Sequence, residues 1–86
     1  AYFMSKNKIQ LTEQINPDLI LKAMEQKYAH EQTTTIDGLK IDFADSWVHL
    51  RKSNTEPIIR IYTEGKSQKE ADDLAQRFIE EMRALI

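Results

Sequence analysis

Apolar positions along this chain follow two different periods, and the switches between them mark out its elements. Leu19, Ile20, Ala23, Met24 and Tyr28 fall three or four residues apart, the spacing of one helix face. Asn16-Pro17-Asp18 supplies a start for that helix, with Asn as N-cap, Pro at the first helical position and Asp in the first turn. The spacing predicts a helix from about Pro17 to Glu31, closed by the β-branched Thr33-Thr34-Thr35 and the Asp37-Gly38 pair. From Leu39 the period drops to two. Leu39, Ile41 and Phe43 alternate with Lys40 and Asp42, the signature of a half-buried strand. Ala44-Asp45-Ser46 turns the chain into a second strand, Trp47–Lys52, with Val48 and Leu50 towards the core and Trp47, His49 and Arg51 on the other face. A third strand, Ile58–Glu64, puts Ile59, Ile61 and Thr63 on one face and Arg60, Tyr62 and Glu64 on the other, and Gly65 ends it. Connections this short favour antiparallel pairing. Residues 2–11 carry Tyr2, Phe3, Met4, Ile9 and Leu11 without a clean period and read as a strand or an extended lead-in.

The last helix is the most sharply written element. Ser67-Gln68-Lys69-Glu70 forms a capping box, in which Ser67 accepts from the Glu70 amide while Glu70 reaches back. Ala71, Leu74, Ala75, Phe78, Ile79, Met82 and Leu85 then make an apolar stripe opposite a charged face. An antiparallel sheet needs one face covered, and both helices are expected on that face. The expected fold is α+β, a two-layer sandwich of a mainly antiparallel sheet with two helices on one side.

Composition narrows the classes without naming a function. Eighty-six residues make one domain, able to bury roughly 60–70% of its unfolded surface. A net charge of −2 gives no pull towards nucleic acid or anionic membrane. There is no cysteine, so no disulfide staples the fold, and a cytoplasmic location is expected. No apolar run approaches the roughly 18–20 residues of a membrane span, and the N-terminus lacks the layout of a signal peptide. Ala1-Tyr2-Phe3-Met4 begins abruptly, as the start of an excised segment would.

The chemistry concentrates in Arg51-Lys52-Ser53-Asn54-Thr55-Glu56-Pro57, between two predicted strands. Arg51 carries a planar fork of donors that fits two phosphate oxygens and keeps its charge at any relevant pH. Ser53 and Thr55 add hydroxyls and Asn54 an amide. Pro57 fixes its own φ and biases Glu56 towards an extended backbone, which limits the freedom such a loop loses on binding. Successive loop N–H groups can also form an anion-binding concavity. The plain alternative is a polar turn with Arg51 and Glu56 as a surface ion pair. Elsewhere the chemistry is thin. His30 and His49 have no partner at metal-ligand spacing, and Asp42 and Asp45 flank a turn where Asp is favoured for backbone reasons.

Asp37-Gly38-Leu39-Lys40-Ile41, Trp47-Val48-His49-Leu50-Arg51, Ser53-Asn54-Thr55-Glu56-Pro57 and Arg60-Ile61-Tyr62-Thr63-Glu64 together closely resemble the C-terminal domain of the α-D-phosphohexomutases. The Arg-x-Ser-Asn-Thr-Glu-Pro form looks most like the phosphomannomutase/phosphoglucomutase branch, since the phosphoglucosamine mutase branch more often has Gly where Asn54 stands. The resemblance runs from about Asp37 to the C-terminus. It implies a TATA-binding-protein-like fold and a loop that grips the sugar phosphate that is not reacting, with Arg51, Ser53, Asn54 and Thr55 as the gripping residues. It also implies a phosphosugar substrate, further domains as partners, and, in the parent enzyme, Mg2+ and a hexose 1,6-bisphosphate intermediate. The family's Ser-His-Asn-type serine segment, Asp-Gly-Asp-x-Asp metal loop and Gly-Glu-x-Ser-Gly-type sugar loop do not occur in these residues. The 86 residues alone are therefore expected to carry no catalytic or metal residue and to be inactive. Two further readings stay open: a stand-alone anion-binding module, and an interaction domain whose helices dock a partner.

Overall fold

A computed structural model describes residues 1–86. The elements run β1 (Phe3–Gln10), α1 (Pro17–Lys27), β2 (Gln32–Thr34), β3 (Leu39–Asp42), β4 (Trp47–Lys52), β5 (Ile58–Gly65) and α2 (Gln68–Arg83). The five strands form one sheet in the order β1-β5-β4-β3-β2, with every neighbouring pair antiparallel. This is the expected α+β sandwich.

Register explains the two faces. Leu50 stands opposite Ile61, and Val48 opposite Thr63 and Ile41, so β3, β4 and β5 turn these side chains to one side, where all are essentially fully buried. Ile9 of β1 joins them opposite Ile59. Ile20 and Met24 of α1 and Leu74, Ala75, Phe78, Ile79 and Met82 of α2 close the same cluster. Phe78, with no exposed surface, stacks on Tyr28 at 4.9 Å between ring centroids. The other face carries Lys6, Lys8, Arg60, Tyr62, His49, Arg51 and Trp47 and has no helix over it.

Both N-caps form as the sequence indicates. The Asn16 side chain accepts from the Asp18 amide at 2.9 Å, and Ser67 Oγ accepts from the Glu70 amide at 3.0 Å. Glu70 answers to the Lys66 amide rather than to its cap residue. Buried Thr63 donates its hydroxyl to the Ala71 carbonyl at 2.6 Å, tying β5 to the first turn of α2.

Two boundaries differ from the sequence reading, and the strand option for the N-terminal residues holds. The first helix stops at Lys27, not Glu31, because Tyr28 turns its ring into the core against Phe43 and Phe78 while its amide caps the helix end. Thr33 and Thr34, read with Thr35 as the helix terminator, lie in Gln32–Thr34, which pairs with β3 as an edge strand; β-branched residues that oppose a helix suit a strand. Residues 3–10, ambiguous in sequence, pair with β5 along their whole length. Leu19 and Leu85, counted in the apolar stripes, are 68% and 50% exposed. Leu21, two residues on and on another side of the helix, packs against the core instead, and Leu85 lies past the end of α2.

Candidate functional site

The phosphate-type segment occupies the connection from β4 to β5, a loop between two central strands. Its ends are fixed by backbone bonds: the Ser53 amide donates to the Ile58 carbonyl at 3.2 Å, and the Leu11 amide donates to the Pro57 carbonyl at 2.7 Å. Ser53 Oγ accepts from the amides of both Thr55 and Glu56 at 3.2 Å and lies 3.3 Å from Thr55 Oγ1. The half-buried Ser53 hydroxyl thus organises the turn. It takes up two amides that a ligand would otherwise find, and one of the two hydroxyls, Ser53 or Thr55, donates to the other. The amide concavity allowed by the sequence is narrowed accordingly, leaving side-chain donors and the Asn54 amide.

Arg51 leaves the open face of β4 and its Nε lies 3.5 Å from Asp37 Oδ1, both side chains being more than half exposed. The surface pair is therefore with Asp37 and not with Glu56. Asp37 also accepts, through its carbonyl, from the His49 ring. Lys52, on the opposite side of the same strand end, donates to Asp18 Oδ2 at 2.9 Å and ties the loop to the first turn of α1.

These groups rim an open cleft of about 700 Å³. Arg51, Ser53 and Asn54 line it together with Lys52, Arg60 and Tyr62, and Asp18, Asp37 and Gly38 line it as well. Thr55 lies outside this lining and touches the cleft only through Ser53. His49 is held at the Asp37 turn and not at the loop.

Sequence reasoning gave no site role to Asp37-Gly38. Gly38 has φ +69°, and a Cβ there would collide with the Leu50 carbonyl, with Arg51 Cα 3.3 Å away. The turn is pressed against the strand that carries Arg51, which only glycine permits. The Asp-Gly pair was the available signal; what it packs against was not.

No three His, Cys, Asp or Glu side chains converge as a metal donor set. The chain's own residues thus do not form the set that the Mg2+ implied for the parent enzyme needs. No helix is long and apolar enough to cross a membrane.

Comparison with known proteins gives a consistent set of likenesses. Residues 8–81 match the family described as phosphoglucomutase/phosphomannomutase, C-terminal domain. A protein named probable phosphoglucosamine mutase from Methanopyrus kandleri is 28% identical across the whole chain, which covers 19% of that protein. The phosphoglucosamine/phosphogalactosamine mutase of Sulfurisphaera tokodaii is 39% identical over 85% of the chain and 16% of its own length. The phosphoglucomutase/phosphomannomutase of Thermococcus kodakarensis is 60% identical over 43% of the chain and 8% of its own length. The chain thus spans less than a fifth of these relatives.

Proposed function

This chain belongs to the phosphoglucomutase/phosphomannomutase C-terminal domain family, and from that premise we propose that its β4–β5 loop grips the phosphate of a hexose phosphate at the end that is not reacting. The observation that carries this reading is the convergence of Arg51, Ser53 and Asn54 on one open cleft. Arg51 supplies the charge, Ser53 a hydroxyl, and Asn54 its amide donors; Thr55 closes down from the rim. The proposed parent is a phosphohexomutase of the phosphomannomutase/phosphoglucomutase kind, which interconverts hexose 1-phosphate and 6-phosphate. The grip contributes binding energy and orientation rather than bond-making, and the isolated chain is inactive in this reading. Other domains of the parent, its Mg2+ and the bisphosphorylated intermediate belong to the same proposal, as does a cytoplasmic location.

A second reading is supported by the names of two of the relatives, which are phosphoglucosamine mutases. It assigns the same grip and a different sugar.

An NMR titration of the 86-residue chain with mannose 6-phosphate, glucose 6-phosphate and glucosamine 6-phosphate tests the grip. Unphosphorylated mannose and the Arg51→Ala variant are the controls. Saturable amide shifts at residues 51–56, lost in the variant, support it. Equal shifts with free mannose, or shifts that survive Arg51→Ala, overturn it.

A further inference from the structure

The sheet ends on one side in a short strand and on the other in a long one. β2 closes its edge with three residues, whereas β1 runs for eight, with β5 on one flank and no strand on the other. The backbone groups of a strand point alternately to its two flanks. The Leu11 amide donates to the Pro57 carbonyl, in step with the β1–β5 register. Ser5, Asn7 and Ile9 therefore bond to β5, and the even-numbered residues face outward. Gln68 takes up the outward carbonyl of Met4 at 3.0 Å. Beyond it the amides and carbonyls of Lys6 and Lys8 are open, a ready template for a further strand.

The side chains of the same even-numbered residues are exposed, on the sheet face opposite buried Ile9. In register Lys8 stands directly opposite Arg60, and Arg60 directly opposite Arg51, so like charges oppose one another across three strands at a cost in stability. None of the chain's ion pairs includes Lys6, Lys8 or Arg60. Glu64, opposite Met4, is engaged by Trp47 Nε1 at 2.9 Å. Lys6, Lys8, Arg60 and Tyr62 surround a shallow depression of about 320 Å³ along this edge. Exposed Met4 adds an apolar side chain at its end.

We propose that the outer edge of β1 docks an extended acidic segment of another polypeptide, which adds antiparallel to β1 as a further strand. Its carboxylates stand opposite Lys8 and Lys6 at alternate positions, with an apolar residue opposite Met4, the pattern acid-x-acid-x-apolar. Main-chain bonds to Lys6 and Lys8 supply the attachment, and the side chains supply the selection. Charge complementarity fixes the occupant. Edge lysines repel a strand of their own kind and favour one of opposite charge. A second copy offers no such strand: β1 carries Lys6 and Lys8 with no acid, and the other edge is Gln32-Thr33-Thr34. Met4, Lys6 and Lys8 lie outside the lining of the loop cleft, so the proposal stands apart from the phosphate grip.

The probe is the peptide acetyl-Thr-Thr-Glu-Thr-Glu-Thr-Tyr-Thr-Thr-amide, titrated into the 86-residue chain at fixed low ionic strength and followed by amide shifts and hydrogen exchange. Shifts are expected at residues 4–10 and 60–62. At about 90% occupancy the outward amides of Lys6 and Lys8 should exchange about tenfold more slowly, while those of Ser5, Asn7 and Ile9, already bonded to β5, change little. The same peptide with Gln for Glu should bind about fivefold more weakly, the order of two cross-strand pairs of opposite charge. Lys6→Glu with Lys8→Glu should reverse the preference, so that a peptide with Lys for Glu binds more tightly than the Glu peptide.

Binding that leaves the exchange of Lys6 and Lys8 unchanged is attraction of charge without strand addition and overturns the proposal. Equal affinity for the Glu and Gln peptides overturns it too, as does a Glu preference that survives the charge reversal. Tighter binding of single-stranded oligothymidine at the same residues overturns it in favour of a nucleic acid. Protection of Lys6 and Lys8 that rises with concentration of the free chain overturns it in favour of a second copy. In the proposed parent the same peptide should still bind; a β1 edge already protected there without peptide assigns it to another domain and overturns a separate partner. No shift with any peptide at millimolar concentration overturns it outright. Peak dispersion of the free charge-reversed variant separates a lost fold from a lost preference, and the Glu and Gln peptides on the unaltered chain decide the matter without that variant.

Discussion

Arg51 is restrained by a single contact at Nε, to an Asp37 carboxylate that is itself 62% exposed. An ion pair this open is worth about 0–1 kcal/mol, so a phosphate gripped as proposed would displace little, with the terminal guanidinium nitrogens free to meet it. Replacing Asp37 by Asn removes a competing negative charge and should leave sugar-phosphate binding as tight or up to about fivefold tighter, read by titration. A tenfold loss would mean that Asp37 is needed to aim Arg51. Gly38 makes the opposite case. An alanine there combines a φ of +69° with a collision against the Leu50 carbonyl, and strain of this kind costs of order 1–3 kcal/mol. Gly38→Ala should lower the chemical-denaturation midpoint and disturb the amides of Leu50 and Arg51 first. A variant as stable as the parent would show that the turn stands away from β4.

At the scale of elements, Tyr28 and α2 are the point where the two helices are joined. The Tyr28 hydroxyl donates to Glu81 Oε1 at 2.7 Å and accepts from Arg77 at 3.0 Å, and its ring lies against Phe78. Burial, followed by the hydrogen bond to Glu81, holds the phenol above its ordinary value of 10.0 despite the opposing Arg77. The folded state then keeps its proton where the unfolded chain releases it. The contribution to stability is complete below pH 10 and is lost as pH rises through the folded value. Urea midpoints should fall from pH 10 upward, and Tyr28→Phe should fall less steeply. Lys66 and Lys69, raised by Asp45 and Asp73, lose stability in the same direction in both proteins, so the difference isolates Tyr28. Parallel slopes would sink the argument. Deleting the Phe78 ring is more severe. Phe→Ala in a core costs about 3–5 kcal/mol, against the roughly 5–15 kcal/mol that holds a native domain, and Phe78→Ala should be largely unfolded by circular dichroism at 37 °C. Much of this was legible beforehand. The α2 stripe, both caps and the alternation of β3 to β5 are local patterns, and local patterns are what a sequence states directly. What escaped was set by pairing and packing with other elements. β2 exists because β3 offers it an edge, α1 stops where Tyr28 finds Phe43 and Phe78, and β1 takes its identity from β5, distant in the chain and adjacent in the sheet. The site divides the same way. The loop residues could be named as candidates from their chemistry, whereas Asp37 and Gly38 join the cleft only once two turns meet at the end of β4.

At the scale of the whole molecule, the loop is a link between strands whose core faces form one continuous cluster with both helices, so occupancy of the loop is coupled to the global unfolding equilibrium. A ligand that binds only the folded chain adds RT ln(1 + [L]/Kd) to its stability, about 1.4 kcal/mol at ten times Kd. For a domain of this size each kcal/mol moves the melting temperature by roughly 4–8 °C. Glucose 6-phosphate at ten times its measured Kd should therefore raise Tm by roughly 5–11 °C, with free glucose at the same concentration as the control for bulk sugar effects. Arg51 is more than half exposed and contributes one weak surface pair, so Arg51→Ala should melt within a few degrees of the parent without ligand and lose the ligand-dependent rise. That combination separates a binding residue from a folding one. If the variant instead melts far below the parent with no ligand present, Arg51 is part of the scaffold, and the cleft at the end of β4 needs another source of charge. A ligand-dependent rise of the same size in parent and variant would move the phosphate away from the loop altogether.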